Sequence, residues 1–550
     1  MAERPAPLRT IALLALLVAL ALAALPENRF DLLDPAAYAL GWRRLAVFLD
    51  AFGRPDLSPT TLKLALSLCT KTLAIAFWGT VLGTLVGVML GFGASRTAMT
   101  HDSAAALPAR FIVGSCRLIL DILRGVPDFA WAIVILTVPG PGPVTGILAL
   151  SLANAGTLGK IYSELWDELP PKRLEFIRST GANRIKIFLY ALVPLTAPSL
   201  TSYTLMRFEC SIRNAAVIGV VGGGGLGAQL LDEFTFGNFP RVVTLLLTML
   251  VLTGTTDLLA NHLRLRLLRH PRASTSAGIS LRSRRQIAAL IFVAAAIATL
   301  FDLHQDISRS LNELYRLDGR FLREELAQLL QPDLAIDTWR EGFASARVPL
   351  ALGLTATLGA VLVASLLAFP SSVTLQMQSL NFNGEAQTPG KRIVLTTAVL
   401  ATRGLALVMR AIPSVAWLLI FTAFFTLGIL PGLLAITVHS AGVLSRVFVE
   451  RVDDVPHTRL ERAYGGSSLL TFAYAAVPES ARSWLSYAAF EFESNVRAGF
   501  VLGILGIGGL GDLFHTSLTH WSPHRASTFL IIMVLMTIAI DRTARRLRRS

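Results

Sequence analysis

FECSIRNAAVIGVVGGGGLG, residues 208–227, sets Glu209 and Arg213 inside an otherwise apolar run and follows them at once with a glycine cluster. The stretch recurs as FESNVRAGFVLGILGIGGLG, residues 492–511, with ten of twenty positions identical at a constant offset of 284. The chain is therefore written twice, and the search for internal repeats decides how everything else is read. Arg241 matches Arg525 and Asp257 matches Asp541 at the same offset. Upstream, at offset 286, RGVPDFAW (124–131) pairs with RAIPSVAW (410–417), and AGTLGKIYSE (155–164) with AGVLSRVFVE (441–450). Earlier still, RPDLS (54–58) resembles QPDLA (331–335), and Gly83 is matched with Gly359. The expected domains are 1–270 and 286–550, joined by a basic linker at 271–285.

The surroundings of the repeat are apolar. Of 550 residues 53% are hydrophobic and 16% charged, with mean hydropathy +0.58. That charge fraction lies well below the roughly 25% of soluble domains. Runs such as 10–26, 73–94, 242–260 and 526–540 approach or exceed the ~20 residues a helix needs to cross a bilayer. The fold class expected is an all-α polytopic membrane protein. The net charge of +14 is concentrated beside apolar runs, at Arg264, Arg266, Arg269, Arg272, Arg282, Arg284 and Arg285 and again from Arg542 to Arg549. This is the positive-inside pattern, and it argues against a nucleic-acid partner. The apolar N-terminal stretch is read as an uncleaved first helix rather than a signal peptide. Cys69, Cys116 and Cys210 are scattered, and read as buried small hydrophobes without a disulfide or metal framework.

Each half reads as six spans, near 10–26, 64–94, 111–138, 144–165, 187–221 and 242–263, then 286–302, 349–370, 396–427, 432–449, 470–505 and 526–542. An even number makes the halves parallel, with both termini inside and a pseudo-two-fold axis along the membrane normal. Segment 187–221 would be ~52 Å long as one helix, so Pro194 and Pro198 are expected to break it. Residues 303–348 read as an outer connector, solvated or amphipathic.

Charge inside a membrane is costly, so it faces the bundle interior or a polar path. Glu209 and Arg213, like Glu493 and Arg497, are four apart on one helical face. They read either as self-satisfied ion pairs or as the lining of a path. Arg124 and Arg410 each precede a helix-breaking proline, Pro127 and Pro413. Asp121 and Asp128 are expected to pair with Arg124. In the second half Leu407 and Ser414 take their places, leaving Arg410 and Arg403 without a local acid. A cationic surplus suits a small anion in transit; a hydrogen bond from Arg410 to carbonyls freed by Pro413 is the competing reading.

Gly222, Gly224 and Gly227, like Gly506, Gly508 and Gly511, fit G-x-G-x-x-G, but a membrane span precedes them where a dinucleotide site needs a strand. They read instead as a bend, permitting positive φ and close helix approach. GEAQTPGKR (384–392) has the wrong spacing for a phosphate-binding loop, so the chain is not expected to hydrolyse ATP. His515, His520 and His524 are placed in an outer loop, too loosely spaced for a metal site. No catalytic constellation stands out.

Between spans four and five lies LEFIRSTGANRIKIFLYALVP (174–194), with Glu175 six residues before Gly181 and Pro194 thirteen after it. This resembles the E-A-A-x(3)-G-x(9)-I-x-L-P loop of ABC importer permeases. The second copy, TRLERAYGGSSLLTFAYAAVP (458–478), keeps Gly465 and Pro478 but has Arg459 in place of the acid, with Glu461 only four before the glycine. More narrowly, RGVPDFAW, AGTLGKIYSE, TGANR and YTLMRFECSIRNAAVIGVVGGGGLG, with their second copies, make each half similar to permeases of the phosphonate ABC-importer family. The resemblance implies two fused six-helix type I importer domains in a bacterial inner membrane. It implies import of phosphonate or a related small oxyanion, with an external binding protein and two separate ATPase subunits as partners. The chain itself would bind no cofactor, ATP and magnesium belonging to the ATPases. Loops near 172–184 and 456–468, with Glu175, Gly181, Arg459, Glu461 and Gly465, would couple to the ATPases. Arg124, Arg410 and the two Glu/Arg pairs would line the path or gate, and the six glycines would be hinges. The alternatives are a fused permease for another ligand, such as ferric iron or thiamine, and an ion-coupled secondary transporter using Asp121 or Asp128.

Overall fold

The computed structural model describes residues 35–99, 106–170, 172–268, 281–316, 324, 327–376, 389–425, 427–455 and 468–549. The run 10–26, most of the linker 271–285, and Arg459, Glu461 and Gly465 lie outside these. The described residues form helices and connecting turns without a strand. In the first half these are α1 (Pro35–Gly53), α2 (Pro59–Ala94), α3 (Ala106–Gly125), α4 (Asp128–Leu136), α5 (Pro143–Asp167), α6 (Lys172–Arg178), α7 (Arg184–Gly223), α8 (Leu226–Thr235) and α9 (Phe239–Leu268). In the second they are α10 (Leu281–Arg316), α11 (Ile336–Ser371), α12 (Pro389–Ala411), α13 (Ser414–Phe424), α14 (Ile429–Asp453), α15 (Ser468–Ile507), α16 (Leu510–Thr519) and α17 (Pro523–Arg549). Among the described residues α2, α5, α7, α9, α11, α12, α14 and α17 contain stretches long and apolar enough to cross a membrane. The bent pair α15 and α16, at 52°, makes a ninth.

Two compact units emerge. One gathers residues 51–324; the other gathers 325–550 with the chain up to Asp50. The boundary between repeats along the chain is thus not the boundary between units. In the first unit α10 lies along α2, where the Trp78 indole donates to Thr299 (3.1 Å) and Lys71 pairs with Asp306 (3.1 Å). Residues 303–316, read from sequence as connector, therefore continue α10 as helix. In the second unit α1 packs on α13. Trp42 meets Phe424 edge-on at 5.2 Å, and a Cβ on Gly41 would lie 2.4 Å from the Phe424 carbonyl oxygen.

The core of the first unit is the α2–α5 contact. Gly79, Gly83, Gly87 and Gly91 recur every four residues on α2, and added Cβ atoms there would strike Leu150, Asn154, Gly159 and their neighbours on α5. Small residues at this spacing let helix backbones approach in a setting where hydrophobic expulsion gives no drive. On α11 the matching stripe is Ala356, Ala360, Ala364 and Ala368, all fully buried. The true register here is 277, so Gly83 corresponds to Ala360 and not to Gly359.

The turns before these helices confirm that register. Asp56 accepts from the Thr61 hydroxyl (2.6 Å) and the Ser58 amide (3.0 Å); Asp333 accepts from the Thr338 hydroxyl (2.6 Å) and the Ala335 amide (2.9 Å). These donors hold both carboxyls below the usual carboxylate range. The acid occupies orphan donors at the helix start.

Pro194 and Pro198 do not break α7, contrary to the sequence expectation. The helix runs continuously, with a π-helical turn at Phe188–Leu192 directly before Pro194. A wider turn already moves the hydrogen bond to i−5, as between the Val193 amide and the Phe188 carbonyl, so the missing proline donor disrupts little. The second half repeats this with a π turn at Phe472–Ala476 before Pro478.

Candidate functional site

Three features carry the chemistry inside each unit: a proline break, a polar core on the long charged helix, and a glycine bend. At the break between α3 and α4, Pro127 cannot donate to the Leu123 carbonyl four residues earlier. The Trp131 indole donates to it instead (3.3 Å). Between α12 and α13, Trp417 does the same for Met409 (3.1 Å), four residues before Pro413. The tryptophan of R-x-x-P-x-x-A-W thus serves the carbonyl orphaned by the proline, the role one reading had given to Arg410. Across the break lies a glycine of the next helix. A Cβ on Gly156 would lie 2.6 Å from the Arg124 nitrogen, and one on Gly442 2.5 Å from the Arg410 nitrogen. The half-buried Arg124 and Arg410 therefore sit where two helix backbones nearly touch.

The acids expected beside Arg124 have partners on other helices. Asp121 takes Lys160 of α5 at 2.6 Å, and Asp128 takes Arg207 of α7 at 3.5 Å and the Asn214 amide. Arg207 also donates to the Asn154 carbonyl oxygen, and the Asn154 amide donates to Ser211 (3.0 Å) and to the Gly79 carbonyl (3.2 Å). Arg207 and Asn154 had no place in the sequence reading. In the second unit Ser440 donates to Asn495 (2.6 Å), whose amide donates to Thr357 (2.9 Å). There Ser414, Glu491 and Ala498 replace Asp128, Arg207 and Asn214.

The i, i+4 pairs form in both units: Arg213 to Glu209 at 3.2 Å and Arg497 to Glu493 at 3.6 Å. Both pairs withdraw from solvent, and Glu493 is fully buried. Just beyond them the chain bends. Gly222 and Gly224 have φ of 99° and 74°, and Gly506 and Gly508 have 96° and 97°. Gly225 and Gly509, absent from the sequence reading, are also positive. Gly227 and Gly511 act through space: a Cβ there would lie 1.8 Å from the Ala216 carbonyl oxygen and 2.0 Å from that of Phe500. The bend is tightly packed.

At the far end of α5 the short helix α6 carries Glu175 and Phe176, both exposed. It is rooted by the fully buried Leu174 in a cluster with Leu158, Tyr162, Trp166 and Phe188. Gly181 follows at φ 71° with open space around it. Close by, Asp167 accepts from Ser95, the Thr97 amide and Arg117 (2.8–2.9 Å). Asp453 accepts from Ser372, the Thr374 amide and Arg403 (2.6–3.1 Å). Arg403, expected to lack a local acid, is thus paired 50 positions away along the chain. The cysteines are free and half-buried, less enclosed than expected. His515 lies within α16; the ring of His520 bonds the Thr516 carbonyl and that of His524 the Gln331 carbonyl.

Comparison with known proteins follows the duplication. Residues 103–269 and again 396–550, more than half of the chain together, match the family described as binding-protein-dependent transport system inner membrane component. The phosphate-import permease PhnE of Mycolicibacterium smegmatis is 27% identical over 480 residues, 86% of this chain and 83% of its own. A putative phosphite transport system permease of Stutzerimonas stutzeri is 32% identical over 224 residues, 41% of this chain and 76% of its own. A putative cryptic phosphonate transport system permease of Escherichia coli is 37% identical over 118 residues, 22% of this chain and 97% of its own. The chain belongs to the family of inner-membrane components of binding-protein-dependent transport systems, and is a multi-pass permease that carries the family's domain twice.

Proposed function

We propose that this chain is the transmembrane permease subunit of an ABC importer for phosphonate or a related small oxyanion, supplying both permease domains. The observation that carries the reading is the pairing of two family domains in one polypeptide whose relatives are named for phosphate, phosphite and phosphonate transport. In this reading both termini and the 172–184 and 456–468 loops lie on the cytoplasmic side. Two ATPase subunits engage those loops through Glu175, Gly181, Arg459, Glu461 and Gly465, and supply all ATP and magnesium. An external binding protein delivers the anion. Arg124, Arg410 and the pairs Glu209/Arg213 and Glu493/Arg497 line the path or its gate. The bends at Gly222–Gly227 and Gly506–Gly511 are the places about which the outer ends of α7 and α15 turn as access alternates.

The path assignment rests on charged side chains placed within the spans, where charge faces the bundle interior or a polar path. The test is uptake by the chain in liposomes with its ATPase and binding protein, using labelled methylphosphonate, phosphite and phosphate. Uptake is expected only with ATP and both partners present. Uptake by the chain alone on a proton or sodium gradient would overturn the mechanism.

A further inference from the structure

The Asp167 and Asp453 clusters are the same object built twice. Ser95 caps the C-terminus of α2, donates to Asp167 and accepts from the Ala98 amide (3.2 Å). Arg117, on α3, spans two helix ends, its Nε on the Ala94 carbonyl (2.9 Å) and its NH2 on Asp167 (2.9 Å). In the second unit Ser372 accepts from the Leu375 amide (3.2 Å), and Arg403 bridges the Ser371 carbonyl (2.9 Å) and Asp453 (2.9 Å). The chain between the serine and the arginine is nine residues longer in the second half (372–403 against 95–117). All four side-chain types nevertheless recur: Ser, Thr, Arg and Asp.

The position of the cluster gives it a task. Asp167 is the last residue of α5, five before α6 begins. Arg178, at the end of α6, donates to the Thr97 carbonyl (3.3 Å), whose own amide is held by Asp167. Arg117 then carries the connection into α3, the helix that carries Arg124 in its last turn and ends just before the Pro127 break. A bidentate guanidinium between a carboxylate and a backbone carbonyl fixes orientation as well as distance, which an ammonium cannot. We propose that Arg117–Asp167 and Arg403–Asp453 are positioning struts: displacement of the coupling segment at the end of α5, and of the end of α14 at Asp453, reaches the proline-broken spans through them. The inference rests on the importer reading above.

The experiment uses the full complex with ATPase and binding protein in liposomes, measuring anion uptake and ATP hydrolysis together. Arg117→Gln with Arg403→Gln is expected to lower anion taken up per ATP by about tenfold while hydrolysis stays near wild type. Arg117→Lys should restore only part of the ratio. Asp167→Asn with Asp453→Asn, which keeps an acceptor for the serine and the amide, gives the same loss if the arginine variants fail to assemble. An unchanged ratio, or uptake and hydrolysis falling in parallel, would overturn the proposal. A second readout is independent of cargo. In a chain whose native cysteines are replaced, spin labels at the exposed positions 176 and 122 should keep their distance on nucleotide addition in wild type and change it in Arg117→Gln. An equal response in both would sink the strut even if the cargo assignment stands; absent uptake in wild type with this distance behaviour intact would sink only the cargo reading.

Discussion

The two units solve the same packing problems with residues exchanged across the contact. In the first, Asn154 on α5 meets Ser211 on α7; in the second, Ser440 on α14 meets Asn495 on α15. All four are buried. The large aromatic behaves likewise. Trp166 on α5 fills the first unit's cluster beside Phe188, ring centroids 4.9 Å apart, where α14 has only Val452. In the second unit the tryptophan is Trp484 on α15, stacked on Phe448 at 4.3 Å, where α7 has Leu200. What persists is the contact: one amide per helix pair to satisfy buried polar groups, and one indole to fill the volume. The helix that supplies it is free to change.

The largest effects should come from the indoles. Trp166→Ala and Trp484→Ala are each expected to cost about 3–5 kcal/mol in denaturant unfolding in detergent. The double variant Trp166→Val with Leu200→Trp, which copies the second unit into the first, should recover a large part. A double no better than Trp166→Val alone would break the equivalence. Next come the packed glycines. Gly227→Ala and Gly511→Ala force a Cβ onto a backbone carbonyl in both units and should each cost about 1–3 kcal/mol or more. Gly181→Ala meets no neighbour and should show only the milder penalty of a left-handed residue.

A smaller effect separates the polar cores. Asn154→Ala removes the partner of Arg207, Ser211 and the Gly79 carbonyl, whereas Asn495→Ala removes that of Ser440 and Thr357. Both should cost about 1–3 kcal/mol, the first more because a charged donor loses one of its two acceptors and keeps only the longer contact to Asp128. Equal losses would show that Asp128 alone suffices for Arg207.

The smallest difference lies in the two aspartate turns, read from stability against pH. Both carboxyls are held below their ordinary range, so their stabilisation is complete above the unfolded pKa of about 3.9 and is lost as pH falls through the lower folded value. Asp56→Asn and Asp333→Asn should therefore show a constant deficit from pH 8 to 5 that shrinks only in acid. The deficit should be larger for Asp56, which also takes Arg241 at 3.2 Å, whereas Arg525 is bonded to Glu341. A deficit that vanished already near pH 6 would assign it to other groups.

Much of this was legible along the chain. The duplication shows in self-comparison of the sequence, and most of the membrane helices, the i, i+4 ion pairs, both proline breaks and the glycine bends depend on neighbours written close together along the chain. The tryptophan four residues after each broken proline was inside the quoted motif, yet its role appears only when the orphaned carbonyl is traced. The continuity of α7 through Pro194 was misread because a π turn leaves no mark in composition.

The sequence by itself determined that two copies of one helical membrane domain share a polypeptide, because hydropathy and repeat offsets are properties of the chain alone. The tertiary structure decided which charges meet. Asp121 went to Lys160, Asp128 to Arg207, Arg117 to Asp167 and Arg403 to Asp453, none of them within one helical turn. It also decided that α10 packs with the first unit and α1 with the second. These pairings follow from how helices cross and how closely small residues let them approach. That geometry is set by the whole packed surface of a helix, and no single spacing along the chain encodes it.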